Sequence, residues 1–161
     1  MNLVNKGKQL LIENGYTFVA LKDEEVYSSC LHGIKPIMSK VIVCNNYFKD
    51  YVIIDRVIGR SVAILLIRSG IKAVHAVILS EPAKRLFEDY RINYSYDELV
   101  PYITNRSKDG MCSMEASVLK VNDLDSGFRI LCQQIKEVIY KWGVVKYVVW
   151  KEIEKICWTN C

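Results

Sequence analysis

The run "YVIIDRVIGRSVAILLI", Tyr51 to Ile67, followed closely by "KAVHAVILS" from Lys72, constrains the fold more than any other part of the chain. The first run holds Val52, Ile53, Val57, Ile58, Val62, Ile64, Leu65 and Leu66, so as a helix it is apolar nearly all round. Such a helix has to be covered on most sides. The second run, as a strand, is apolar on both faces, which suits the interior of a sheet. A helix and a strand that both need covering point to a layered α/β sandwich.

The flanking segments supply the other elements. "LVNKGKQLLIENG" puts Leu3, Leu10 and Leu11 at helical spacing and stops at Gly15. "YTFVALKDEEVYSS" is predicted to be a hairpin turning at Lys22-Asp23-Glu24, and "GIKPIMSKVIVCNNYFKDY", broken by Pro36 and Asn45-Asn46, a connector with a short helix. "EPAKRLFEDYRI" is a helix with Pro82 in its first turn, where a missing N–H costs nothing. "NYSYDEL" is a strand or extended edge, "VPYITNRSKDG" a loop, Met111 to Leu119 a helix, and "GFRILCQQIKEVI" another.

At 161 residues the chain buries a real core without staples. Hydrophobic residues make up 51% and charged residues 25%, a globular balance, and the net charge of +4 is spread among interleaved signs. That distribution is a solvated surface, so no specific nucleic-acid partner is expected. The longest strongly apolar run, "SVAILLI", is too short to span a bilayer, so no membrane association is expected. The start "MNLVNKGKQLLIENG" has no signal-peptide pattern, and the six cysteines are expected to be reduced in a cytoplasmic protein.

The segments "IIDRVIGRSVAILL", "KAVHAVILSE", "YDELVPYITNRSKDGMCSMEASVL" and the hairpin "VALKDEEVYSS" followed by "GIKP" resemble an uncharacterised prokaryotic family assigned to the cytidine-deaminase-like fold. The resemblance spans roughly residues 3 to 138 in unbroken order. It implies a three-layer α/β/α sandwich with a mixed central sheet over residues 1–138, leaving 139–161 as a C-terminal extension. Zinc deaminases of this fold carry His or Cys, one residue, then Glu at the start of the buried second helix, and Pro-Cys-x-x-Cys at the helix after the third strand. With the second helix taken to begin at Asp55-Arg56-Val57 and the later one at Ser80-Glu81-Pro82-Ala83, both halves of that signature are missing. Neither His32 nor His75 is followed by Glu two residues on, so no metal and no other cofactor is expected.

Two site hypotheses remain. In the first, Asp55, Arg56, Gly59, Ser80, Asn105, Arg106 and Gly110, joined by Glu81, gather around one concavity that binds a small anionic or nucleotide-like ligand. Helix starts and arginines favour an anion, and carboxylates accept from a ribose or amine. Gly59, inside the expected helix, then marks a close approach by a neighbouring backbone or a ligand. In the second, Cys112 is a nucleophile at a helix start, assisted by Glu81 or Glu115. The structural reading of the same stretch is an ordinary helix start: Asp109 and Ser113 cap, Gly110 eases the turn, Cys112 packs as a small apolar residue. His75 is expected to be a hydrogen-bonded core histidine. Beyond these, "YKWGVVKYVVWKEIEKICWTNC" aligns Trp142, Val145, Val149, Ile153 and Ile156 on one helical face, although "VVKYVVW" equally suits a strand. Its expected use is packing on its own domain or on a second copy in a homodimer, which makes a protein-interaction module the third functional class.

Overall fold

A computed structural model describes residues 2–141. Helix α1, Leu3–Glu13, starts where the Asn2 side chain accepts a hydrogen bond from the Val4 N–H at 3.0 Å. It ends at Asn14, before Gly15 in the left-handed region. Strands β1, Phe18–Lys22, and β2, Glu25–Ser29, form the expected hairpin. Asp23 supplies the positive φ that a tight hairpin turn needs. Helix α2, Lys35–Val41, is the short helix of the connector, with Pro36 in its first turn.

The run from Tyr51 to Ile67 is not one helix. It divides into strand β3, Val52–Ile58, and helix α3, Arg60–Arg68, with Gly59 as the N-cap. Five of the seven β3 residues are Val or Ile, whose branched Cβ suits a pleated surface better than a helix turn. Helical and extended readings of a short apolar run cannot be separated by periodicity alone, and here β-branching decides. Asp55 and Arg56 are therefore strand residues, not the start of a helix.

Strand β4, Ala73–Ser80, leads into helix α4, Glu81–Asp89, whose cap is Ser80: its hydroxyl oxygen accepts from the Ala83 N–H at 3.3 Å. Strand β5, Asn93–Val100, and helices α5, Ser113–Val118, and α6, Leu124–Lys141, complete the chain order. The expected extension 139–161 begins inside α6, and its remainder lies outside the described residues.

The five strands form one mixed sheet in the order β2-β1-β3-β4-β5. β1 runs antiparallel to β2 and β3, while β3, β4 and β5 are parallel. β4 is interior, as its apolar faces require. Helix α1 covers one face, packing Leu11 on Val19, Leu21, Val52 and Ile54. It sits close because position 7 is glycine: a Cβ there would lie 2.2 Å from the Ile54 Cδ1. The opposite face carries the larger core, where Phe18, Ile53, Val74, Ala76 and Leu79 meet apolar side chains of α2 to α6. The protein is thus an α/β sandwich of three layers, with α3 buried along almost its whole length.

Candidate functional site

The carboxyl ends of β3, β4 and β5 lie at one end of the sheet, and α3 and α4 start there. In open α/β sheets this end is where ligands bind. A cavity of about 420 Å³ opens here, lined by Val57, Ile78, Val100, Pro101, Tyr102, Ile103 and Thr104. Its wall is mainly apolar, built from the last residues of the three parallel strands and the segment that leaves β5.

Behind that wall stands Glu115, a carboxylate only 1% exposed on the inner side of α5. Its Oε1 accepts from the Arg60 N–H at 3.0 Å and from the Ser80 hydroxyl, and its Oε2 accepts from the Ile103 N–H at 2.6 Å. One side chain therefore ties the start of α3, the start of α4 and the cavity wall together. Gly59 makes room for it, because a Cβ at 59 would meet Glu115 Oε1 at 3.2 Å and Ile103 Cγ1 at 3.0 Å. The close visitor at Gly59 is thus a neighbouring side chain.

Arg60 completes the arrangement. Its guanidinium is buried and donates to the carbonyls of Val118 at 3.0 Å, Pro82 at 3.2 Å and Val121 at 2.6 Å. Burial lowers its pKa, against the opposing pull of the Asp89 and Glu115 charges. Capping three carbonyls from three places, Arg60 fastens α4, the end of α5 and the middle of the α5 to α6 link to α3.

The residues singled out in the sequence divide into those this site includes and those it does not. Gly59, Ser80 and Glu115 are together at its centre. Glu81 opens α4 beside Ser80 and is half-buried. Cys112 is the N-cap of α5, half-buried, and its N–H donates to the Ile103 carbonyl at 2.7 Å. Asn105 and Gly110 close a small loop after a bridge between Thr104 and Met111. The Asn105 N–H donates to the Gly110 carbonyl at 2.9 Å, and the Asn105 amide donates to Asp109 at 2.6 Å. Arg106 projects from that loop, exposed, two residues beyond the cavity wall at Thr104.

Asp55 and Arg56 part company, as neighbours in a strand must. Asp55 pairs in register with Phe18 and so faces the larger core. Arg56 faces α1, donating to the Tyr16 carbonyl at 2.8 Å and the Leu11 carbonyl at 3.3 Å. The five side chains Asp55, Arg56, Glu81, Asn105 and Arg106 thus do not line one concavity; Arg56 holds the end of α1 instead. Asp55 is 6% exposed, with Oδ1 accepting from the Val57 N–H at 3.1 Å. Its Oδ2 is buried with no partner among the described residues. Burial pushes its pKa from the ordinary 3.8 up to about 7, against the lowering effect of the Val57 and Arg56 N–H groups.

Sequence reasoning missed Arg60 and the apolar cavity wall. A carboxylate three residues before Val118 on a short helix was a signal for a buried Glu115, but nothing local marks its donors, which come from 12 to 55 residues away. His75 is the buried, hydrogen-bonded histidine expected, its Nδ1 2.8 Å from the Ser95 hydroxyl and its Nε2 3.4 Å from Asp97 Oδ2.

Residues 6–135 match the TM1506 family, described as a domain of unknown function (DUF1893). The chain belongs to the DUF1893 family. A solved structure of a DUF1893 family protein (TM1506) from Thermotoga maritima superposes with a TM-score of 0.77 at 24% identity. It covers 83% of this chain and 90% of the other, and at that identity the likeness is one of fold. No curated protein matches this DUF1893 chain. Among its described residues no group of three or more His, Cys, Asp or Glu is placed to hold a metal ion. Among them, too, no helix is long and apolar enough to cross a membrane.

Proposed function

We propose that this DUF1893 protein has a cytidine-deaminase-like architecture and binds a small ligand with a flat apolar part, such as a nucleobase, and an anionic end, such as a phosphate. The observation that carries the reading is the cavity at the carboxyl ends of β3, β4 and β5, with Pro101, Tyr102 and Ile103 in its wall. An apolar wall with few polar groups is what holds a planar ligand. The anionic end reaches the exposed Arg106, which the Asn105 to Gly110 loop carries just past Thr104. Zinc-dependent deamination is not part of the proposal. The second helix is α2, preceded by His32-Gly33-Ile34, and the helix after the third strand is α3, beginning Gly59-Arg60-Ser61, so neither start carries the deaminase ligands. The Cys112 nucleophile reading has less support, because both oxygens of Glu115 are engaged by backbone and hydroxyl donors. A cytoplasmic setting belongs to the proposal and is supported by the thiols of Cys30, Cys44 and Cys112.

Calorimetric titration with adenosine monophosphate, adenosine and inorganic phosphate tests this. The monophosphate binds most tightly, Arg106→Ala weakens it without weakening adenosine, and the melting temperature stays nearly unchanged because an exposed arginine contributes little to stability. Val57→Trp, which fills the cavity from its exposed rim, abolishes both. Binding unaffected by Val57→Trp, or no binding of any of the three, refutes the proposal.

A further inference from the structure

The sheet has two edges, and β5 is the longer edge strand, eight residues against five in β2. Among the described residues β5 pairs with β4 alone, so its other edge presents unpaired N–H and C=O groups. Native proteins usually blunt such an edge with proline, lysine, a bulge or a covering element. "NYSYDELV" contains no proline and no lysine, its pairing with β4 follows a constant register, and Asn93 and Ser95 to Glu98 are exposed. An edge left open in this way is a template for another strand.

The strand is also self-complementary when reversed on itself. Its acids, Asp97 and Glu98, lie in the second half, and the first half is neutral. Phe87, Tyr94 and Tyr96 form a stacked ladder on one face, with centroids 6.0 Å and 6.3 Å apart, and it stops at Tyr96, which is 38% exposed. We propose that β5 pairs antiparallel with β5 of a second copy of this chain, with Ser95 on the two-fold axis. That register sets Tyr94 of each copy opposite Tyr96 of the other, extending the aromatic ladder across the dyad, and Asn93 opposite Asp97, an amide facing a carboxylate. Parallel pairing would bring Asp97 and Glu98 against their own kind, and like charges opposite each other destabilise a ladder. A two-fold contact closes on itself, so the product is a dimer with one continuous sheet across both subunits.

The test uses the full chain. Light scattering on a sizing column shows a dimer whose dissociation constant responds to the exposed residue 93 in both directions. Asn93→Asp weakens it and Asn93→Lys strengthens it by roughly two- to thirty-fold, the size expected of two symmetric cross-strand charge pairs. Mild oxidation of Ser95→Cys links position 95 to position 95 of the other copy, because opposed Cα atoms about 4.5–5.5 Å apart are within disulfide reach. Peptide mapping separates that link from any through Cys30 or Cys44. Val43→Cys, also exposed but away from the edge, gives no self-link. A chain that is monomeric at every concentration overturns the proposal. A dimer indifferent to residue 93 and lacking the 95–95 link overturns it too.

Discussion

Truncating Glu115 measures how much the site depends on one carboxylate. Glu115→Ala deprives the Arg60 N–H, the Ser80 hydroxyl and the Ile103 N–H of their acceptor. The hydroxyl can turn to another partner, and Ile103 is half-buried and within reach of water, so the cost falls mainly on the buried Arg60 N–H and on the space left behind. An unsatisfied buried donor costs about 1–3 kcal/mol, and an uncollapsed cavity adds a similar amount. The expected loss is therefore about 2–6 kcal/mol, a large part of the ~5–15 kcal/mol that holds a domain together. Glu115→Gln keeps the shape and one acceptor oxygen but turns an amide N–H toward either Ile103 or Arg60, so about 2 kcal/mol is expected. Urea unfolding followed by far-ultraviolet circular dichroism gives both values. A loss below about 1 kcal/mol for Glu115→Ala would mean that its three bonds are not holding the helix starts together.

Two further outcomes follow from the same end of the sheet. The folded Asp55 keeps its proton to about pH 7 while an ordinary aspartate loses it near 3.8, so the folded state binds more protons between those values and stability falls as pH rises through them. Unfolding free energies measured from pH 4 to 8 should show Asp55→Asn close to the native protein at the acid end and more stable by on the order of 4 kcal/mol at pH 8; superimposable curves refute the buried, unpaired carboxyl. Gly59→Ala has an unstrained backbone, since its φ of −97° is open to any residue, but crowds Ile103 and Glu115. It is expected to cost about 1–3 kcal/mol by thermal unfolding and to weaken ligand binding at the cavity wall, and an unchanged melting temperature would show that Ile103 moves aside freely.

Local pattern made most elements legible in the sequence, and the misassigned one shows the limit of pattern. Gly15, Asp23, Pro36 and Pro82 mark turns and helix starts through backbone chemistry that does not depend on the rest of the fold. The stretch from Val52 to Leu66 has apolar residues at both helical and strand spacing, because a strand covered on two faces and a buried helix follow one another with only Gly59 between them. The one residue that separates them, Gly59, was legible as an oddity but not as a boundary. Misplacing that boundary moved Asp55 from a strand to a helix start, and with it the expected grouping of Asp55 and Arg56. The site was less legible for a similar reason: Glu115, Ser80 and Arg60 meet only once α3, α4 and α5 have packed, and a sequence carries no local trace of such a meeting.

Asp55 and Glu115 occupy the same end of the molecule under opposite conditions, and the difference bears on what that end can do. Glu115 has donors on both oxygens, which makes it a fastening that joins two helix starts to the cavity wall. Asp55 has one oxygen with no partner among the described residues, so desolvation outweighs the lowering effect of the Val57 and Arg56 N–H groups. Buried polar groups left in this state are uncommon, and a fold selected only for stability would have an apolar residue there. Burial raises the pKa of that carboxyl to about 7, two residues before Val57 of the cavity wall. Glu115 and Arg60 therefore hold the surrounding helix starts together, while Asp55 is the group through which this end of the sheet couples stability to pH.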